Sequence, residues 1–158
     1  HVLVDAGDGV QVVAVQDGRA ASPLLAHPHP VTHALLLADG ATVLTVSGRV
    51  MRVFDWRSGR LRFAPAEFAA TPQLLDVSPD ARRAVVTYAA RRGGRRVELA
   101  TSIDLATGTA GARDVPLPSP VEGLRFSPDS RHLVHWRYGE AWVRHAASLQ
   151  AMGPVHRF

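Results

Sequence analysis

The chain has 158 residues, with 18 Arg, no Lys, 14 acidic residues, 8 His and no Cys, for a formal net charge of +4. That length supports one ordinary core, and 46% hydrophobic with 20% charged residues is a globular rather than a disordered composition. The missing Cys excludes disulfides, thiolate nucleophiles and Cys-ligated zinc, and the missing Asn excludes N-glycosylation. The longest uninterrupted apolar run, Ala34 to Ala38, has five residues, so no membrane span is expected. No charged-then-apolar leader opens the chain, and the expected location is cytoplasmic. The first residue is not Met, which leads us to expect a processed product or a piece of something longer.

The first elements are short strands at Val2–Asp5 and Val10–Val15, joined through Asp8-Gly9, with a third over Arg19–Leu25. Next comes His27-Pro-His-Pro-Val-Thr-His33, with three imidazoles in seven residues. Imidazole is a common metal ligand. The prolines here hold the backbone extended, however, and no carboxylate lies close in sequence. A structural role for His27, His29 and His33 is the stronger reading, and metal ligation the weaker. Further on, an apolar strand, a turn built on Asp and a second strand occur three times: THALLLADGATVLTV (32–46), QLLDVSPDARRAVVTY (73–88) and GLRFSPDSRHLVHW (123–136). Pro79 and Pro128 preset φ for a tight turn, and Asp39, Asp80 and Asp129 can accept hydrogen bonds from nearby backbone amides.

A second family of segments follows the same period. VQVVAVQDGR (10–19), MRVFDWRSGR (51–60), VELATSIDLATGT (97–109) and AWVRHAASLQ (141–150) alternate like strands and end in turns at Gly18, Gly59, Gly108 and Leu149. The turn positions are 41, 49 and 41 residues apart, and the three Asp positions are 41 and 49 apart. Two independent series therefore agree on the period and on where eight extra residues lie. Helix signals are almost absent. Each unit reads as a four-stranded antiparallel meander that cannot bury both faces alone and must stack on its copies. The units are a partial one at 1–25, lacking its innermost strand, and full ones at about 26–66, 67–115 and 116–158.

These segments resemble the WD-repeat β-propeller pattern. FSPD at Phe126–Asp129, VSPD at Val77–Asp80 and MRVFDWRSGR carry the resemblance. Phe54-Asp55 stands where the family has Trp-Asp, and Leu25-Ala-His27 where it has Gly-His. The resemblance implies structural roles for His27 and Asp55, with His27 donating to a carboxylate across the blade. It covers nearly the whole chain, but only the first full repeat has both the His and the Asp, and Arg144-His145 replaces Trp-Asp in the last. The expected fold is thus all-β, a propeller arc of about three and a half blades within one domain, part of a larger ring.

The excess of eight residues is centred on the six-residue stretch Arg91-Arg-Gly-Gly-Arg-Arg96, read as a protruding hairpin turned by Gly93-Gly94. Its guanidiniums, Arg91, Arg92, Arg95 and Arg96, suit a carboxylate-rich partner or phosphates. Few aromatics accompany them, so nucleic acid is the lesser expectation. Trp56, Trp136 and Trp142 read as packing residues. No nucleophile elbow, His-Glu-x-x-His, phosphate-cradling loop or paired carboxylates occur, so no catalytic residues and no cofactor are assigned. The resemblance implies a noncatalytic scaffold holding other proteins or the remaining blades. SPDARRAVVTYAARRGGRRVELATSIDLATG is also similar to a blade of the TolB or prolyl-oligopeptidase type, which implies a substrate-filtering propeller of a larger serine hydrolase. RNA or anion binding by the Arg hairpin is the third reading.

Overall fold

The computed structural model describes all 158 residues, His1–Phe158. It is all-β, and no helix is long and apolar enough to cross a membrane. The residues gather into two compact units, His1–Phe68 and Ala69–Phe158. In the first, β1 (Val2–Asp5), β2 (Gly9–Val13) and β3 (Leu25–Ala26) form a three-stranded sheet in chain order. A second sheet runs β4 (Val31–Leu36), β5 (Thr42–Ser47), β6 (Val50–Asp55), β7 (Arg60–Leu61). A further piece, β8 (Ala66–Glu67), also pairs with β6, so the outer strand of this sheet is broken in two. Pro65, which has no N–H to give a ladder, lies in the break.

The second unit holds two meanders. One consists of β9 (Leu74–Val77), β10 (Arg83–Arg92), β11 (Arg95–Asp104) and β12 (Ala110–Leu117). The other consists of β13 (Gly123–Phe126), β14 (His132–Arg137), β15 (Glu140–His145) and β16 (Ala151–Arg157). All pairings are antiparallel. These are sheets of the propeller-blade type, each a simple antiparallel meander.

The turns repeat down to the dihedral angle. Gly18, Gly59, Gly108 and Leu149 have φ of 69°, 71°, 76° and 57°. Each donates its N–H to the carbonyl four residues earlier, at 2.8–2.9 Å. Leu149 thus takes the left-handed conformation that glycine takes elsewhere, at a cost of about 1–2 kcal/mol. Its side chain is fully buried in the second unit's core, beside Val85, Leu124 and Leu133, which offsets that strain. The Asp turns repeat as well. Gly40, Ala81 and Ser130, each following the Asp, have φ of 64°, 56° and 62°. Each Asp Oδ1 accepts the N–H two residues on, at 3.0–3.1 Å.

Strand composition explains the cores. All six residues of β5, a middle strand between β4 and β6, are buried. In the first unit Val10, Val12, Leu25, Val43, Phe54 and Trp56 pack together, joining the faces of its two sheets. In the second unit polar ties supplement packing. Asp76 of β9 accepts the Phe126 N–H of β13 at 2.9 Å and pairs with Arg125 at 3.3 Å. Ser102 donates to the Ala146 carbonyl at 2.8 Å, and Ser130 accepts the Asp80 N–H in its hydroxyl at 3.2 Å. These bonds place both Ser-Pro-Asp turns at one end of the unit. The β10–β11 and β14–β15 hairpins therefore lie at the opposite end.

Urea denaturation checks the turn and tie assignments. Gly40→Ala should cost about 1 kcal/mol from strain alone, since a methyl there meets open space. Gly59→Ala should cost more, because its methyl would come 2.7 Å from Pro23 Cγ. Asp76→Ala, which strands the Phe126 N–H, should cost about 1–3 kcal/mol. Arg125→Ala should cost under about 1 kcal/mol, since that side chain is 76% exposed.

Candidate functional site

The β10–β11 ladder continues to the tip of its hairpin, with Arg92 opposite Arg95 and Arg91 opposite Arg96. Gly93 and Gly94 close it in two residues with φ of 56° and 77°, the paired positive angles of a type I′ turn. Like charges directly opposite on a sheet repel. The protein relieves each pair on one side only. Arg96 lies 3.3 Å from Glu98, whose side chain is 3% exposed. Arg92 lies 3.9 Å from Asp114. Arg91 and Arg95 make no ion pair and are exposed. Each face of the hairpin therefore presents one neutralised and one unspent guanidinium. Arg91 and Arg96 also line an open cleft of about 350 Å³ with Gln73, Ala89 and Ala90.

The base of this hairpin is anchored by a network that its sequence did not reveal. The Tyr88 hydroxyl donates to Asp114 and lies 2.9 Å from the Thr101 hydroxyl. Burial and then the Asp114 carboxylate push the Tyr88 pKa up to about 12. Asp114 sits at φ 54°, beside a β-bulge between β11 and β12, and its N–H donates to Thr101 Oγ1 at 3.2 Å. Asp114 thus joins Arg92 to Tyr88 and holds the root of the arm. Alternation alone could not place a bulge in β12, so Asp114 was not legible as a partner of Arg92, whereas Glu98 shares a strand face with Arg96 two residues away.

At the same end of the second unit, Tyr138 on the β14–β15 hairpin is 83% exposed and Phe158 is 85% exposed. The two are neighbours in the backbone, because the Phe158 N–H donates to the Gly139 carbonyl at 3.0 Å. Neither aromatic was singled out by sequence. Trp142 stacks on His135 with ring centroids 5.1 Å apart, and Trp136 covers Gly123. Trp56 is buried and donates to the Gly40 carbonyl at 3.1 Å. The three tryptophans are therefore packing groups.

The imidazoles of the 27–33 stretch do not converge. His27 meets no carboxylate: its Nδ1 lies 3.5 Å from Arg52, its ring packs edge-on against Phe54, and its buried Nε2 has no partner. The carboxylate expected opposite it is replaced by a cation. Burial, then Arg52, lowers its pKa. His29 lies against Gly48, and His33 Nδ1 is 3.2 Å from Thr32 Oγ1. No three of the His, Asp and Glu side chains come together in metal-binding geometry.

Asp39, Asp55, Asp80 and Asp129 all serve turns. For Asp39 and Asp80, burial raises the carboxyl pKa, but hydrogen bonds from Thr42 and Ser78 respectively, and from nearby amides, bring it below the usual value. For Asp55 and Asp129, Ser58 and Ser127 are the main groups that lower it. In the last sheet Arg144 is buried without a carboxylate. Its Nε donates to His135 Nε2 at 2.9 Å and its Nη1 to the Leu149 carbonyl at 2.7 Å. His135 must then be neutral with its proton on Nδ1. Burial, then Arg144, lowers its pKa to about 4.

This pair predicts a pH dependence. A depressed histidine binds its proton more readily in the unfolded chain, so stability is full above pH 6.5 and falls as pH drops from 6.5 towards 4. The turn carboxylates, also depressed, act only below their ordinary range. Thermal unfolding between pH 7 and pH 4.5 should therefore show a fall in Tm that is smaller in His135→Gln, with the residue of the effect from His27.

No protein-family model and no curated protein matches the chain. Solved structures do. Over 92% of this chain, a structure of the eukaryotic initiation factor aligns at a TM-score of 0.69 with 14% identity. Over 94%, the computationally designed Ika8 protein aligns at 0.71 with 17% identity. Over 96%, Sqt1 from Chaetomium thermophilum aligns at 0.70 with 18% identity. The chain spans 37%, 43% and 42% of those chains respectively, less than half of each. At these identities the likeness is one of fold.

Proposed function

We propose that this chain is a noncatalytic, WD-repeat-like propeller segment that serves as a protein–protein interaction scaffold within a larger assembly. The observation that carries the reading is the unspent charge on the β10–β11 arm. Arg91 and Arg95 project from a rigid two-residue hairpin with no acid of their own, while every turn carboxylate at the other end of that unit is hydrogen-bonded. Exposed Tyr138 at the same end adds an aromatic anchor. Arg and aromatic residues are the types that dominate interface energetics. The likeness to Sqt1 and to an initiation factor is compatible with a propeller scaffold. The repeat resemblance supports the WD-repeat reading, and the partial first sheet supports completion of the ring by further blades.

The partner chemistry that fits is a carboxylate-bearing protein segment, which guanidinium pairs bidentately. Fluorescence anisotropy with a labelled oligoglutamate peptide tests this. Arg91→Ala/Arg95→Ala should weaken binding about tenfold, whereas Arg92→Ala should cost less, since its charge is already shared with Asp114. A single-stranded oligonucleotide run beside it separates the nucleic-acid reading. Tighter oligonucleotide binding that collapses between low and moderate salt would replace the protein scaffold with an RNA-binding one.

A further inference from the structure

The lengthened hairpin of the third unit leaves part of β10 without a neighbour on one side. In two sister sheets the innermost strand reaches the hairpin turn. β4 pairs Val31 with Ser47, the last residue of β5. Glu122, just before β13, gives its N–H to the Trp136 carbonyl, near the end of β14, at 3.0 Å. The β9 ladder instead stops at Leu74 opposite Thr87, while β10 runs on to Arg92. Pro72, two residues before Leu74, offers no donor with which to extend it. This edge is interior to the chain, with β9 before it and β11 after it.

Hydrogen-bond parity shows which backbone groups are free. In a two-residue hairpin the flanking residues, here Arg92 and Arg95, bond each other. Register then makes Ala90–Val97 and Tyr88–Leu99 the next bonded pairs. The N–H and C=O groups of Ala89 and Arg91 consequently point away from β11. Two bonds at the β9 side agree: Gln73 and Ser78 donate to the carbonyls of Thr87 and Arg83, both at 2.8 Å, so the alternate residues 83, 87, 89 and 91 turn the same way. Ala89 and Arg91 meet no backbone partner there. Along this edge runs the cleft of about 350 Å³ lined by Gln73, Ala89, Ala90, Arg91 and Arg96. The small alanine side chains leave the edge open to an approaching backbone.

We propose that this β10 edge accepts a strand: an extended acidic segment of a partner protein that pairs antiparallel with Ala89 and Arg91 and sets a carboxylate opposite Arg91. This rests on the carboxylate-partner reading above and gives it a geometry. Charge selects the occupant. On the face shared by Arg91 and Arg96, Arg96 already has Glu98 at 3.3 Å, whereas Arg91 has no acid. A residue directly opposite Arg91 on an added strand would have its Cβ about 4.5–5.5 Å away, where a Glu or Asp can pair with the guanidinium. Main-chain bonds to Ala89 and Arg91 supply affinity, and the alternate acidic side chains supply specificity. A second copy of the hairpin docked edge to edge would bring arginine against arginine, so self-pairing is opposed. An oligonucleotide has no peptide groups to pair with the edge.

The test is anisotropy with a labelled Glu-Val-Glu-Val-Glu-Val peptide, beside oligoglutamate and two N-methylated forms of the alternating peptide, with amide hydrogen exchange read residue by residue on the intact protein. A Glu opposite Arg91 in a bonded pair turns its own N–H to β10, so N-methylation at every Glu should weaken binding at least tenfold and N-methylation at every Val should not. Saturation with the unmethylated peptide should slow exchange at Ala89 and Arg91 about tenfold or more and leave Ala90 and Arg92, already bonded to β11, unchanged. If all three alternating peptides bind alike and exchange at Ala89 and Arg91 does not slow, strand addition is overturned while carboxylate capture stands. If neither the alternating peptide nor oligoglutamate binds at about 1 mM, both readings are overturned. Slowing at Ala89 and Arg91 that grows with protein concentration, without peptide, overturns the proposal in favour of a second copy.

Discussion

A sheet whose middle strands are buried on both sides cannot stand alone, and this requirement governs the molecule. Thr42–Ser47 is buried at every position, and the central parts of β10 and β11 are buried almost as completely. Such strands are covered when sheets stack face to face, and within each unit the repeat supplies a second sheet for the purpose. Spacing between turns then has to be kept, because a shift of one residue would carry each strand's apolar set to the wrong face. The eight extra residues of the third unit do not violate this. They are added symmetrically to β10 and β11 as extra ladder pairs beyond the core, ending at Arg92 opposite Arg95.

Stacking also creates a polar problem, since sheets that abut bring backbone groups together that no ladder can satisfy. In the second unit the solution is a few short side chains at the junction. Asp76 takes the Phe126 N–H, and Ser102 gives its hydroxyl proton to the Ala146 carbonyl. Neither bond replaces packing as the main source of stability. What they add is orientation: an unsatisfied amide inside such a seam costs more than a satisfied one gains, so alternative alignments are penalised.

The repeat and its turns were legible in the sequence because they depend on local chemistry. Asp39, Asp80 and Asp129 bind amides two residues away, and Gly18, Gly59 and Gly108 adopt angles that other residues resist. Leu149 was legible only through its period, since nothing about leucine signals φ of 57°. The arginine hairpin was placed correctly, but its division into spent and unspent charges was not. That division depends on Glu98, two residues along the strand, and on Asp114, brought in by a bulge in β12. His27 shows the reverse failure. A family position implied a carboxylate across the blade, and the chain has Arg52 there instead. Side-chain partners set by register between strands lie beyond pattern reading, whereas turns do not.

The two ends of the second unit have been put to different uses. At the Ser-Pro-Asp end, Asp80, Asp104 and Asp129 accept bonds from their own turns, and Arg144, reaching towards the Leu149 turn, does the work of a cap with no acid present. The carboxylates at that end are consumed in holding the chain's shape, and a partner cation docking on them would have to compete with bonds on which folding relies. At the hairpin end the anchoring is concentrated at the root, where Tyr88, Asp114 and Thr101 meet. The tip is left with a stiff backbone and, in Arg91 and Arg95, two guanidiniums outside any ion pair. Arg91 and Arg95 at that tip are exposed and in no ion pair, so their charges can be desolvated without breaking a bond within the fold.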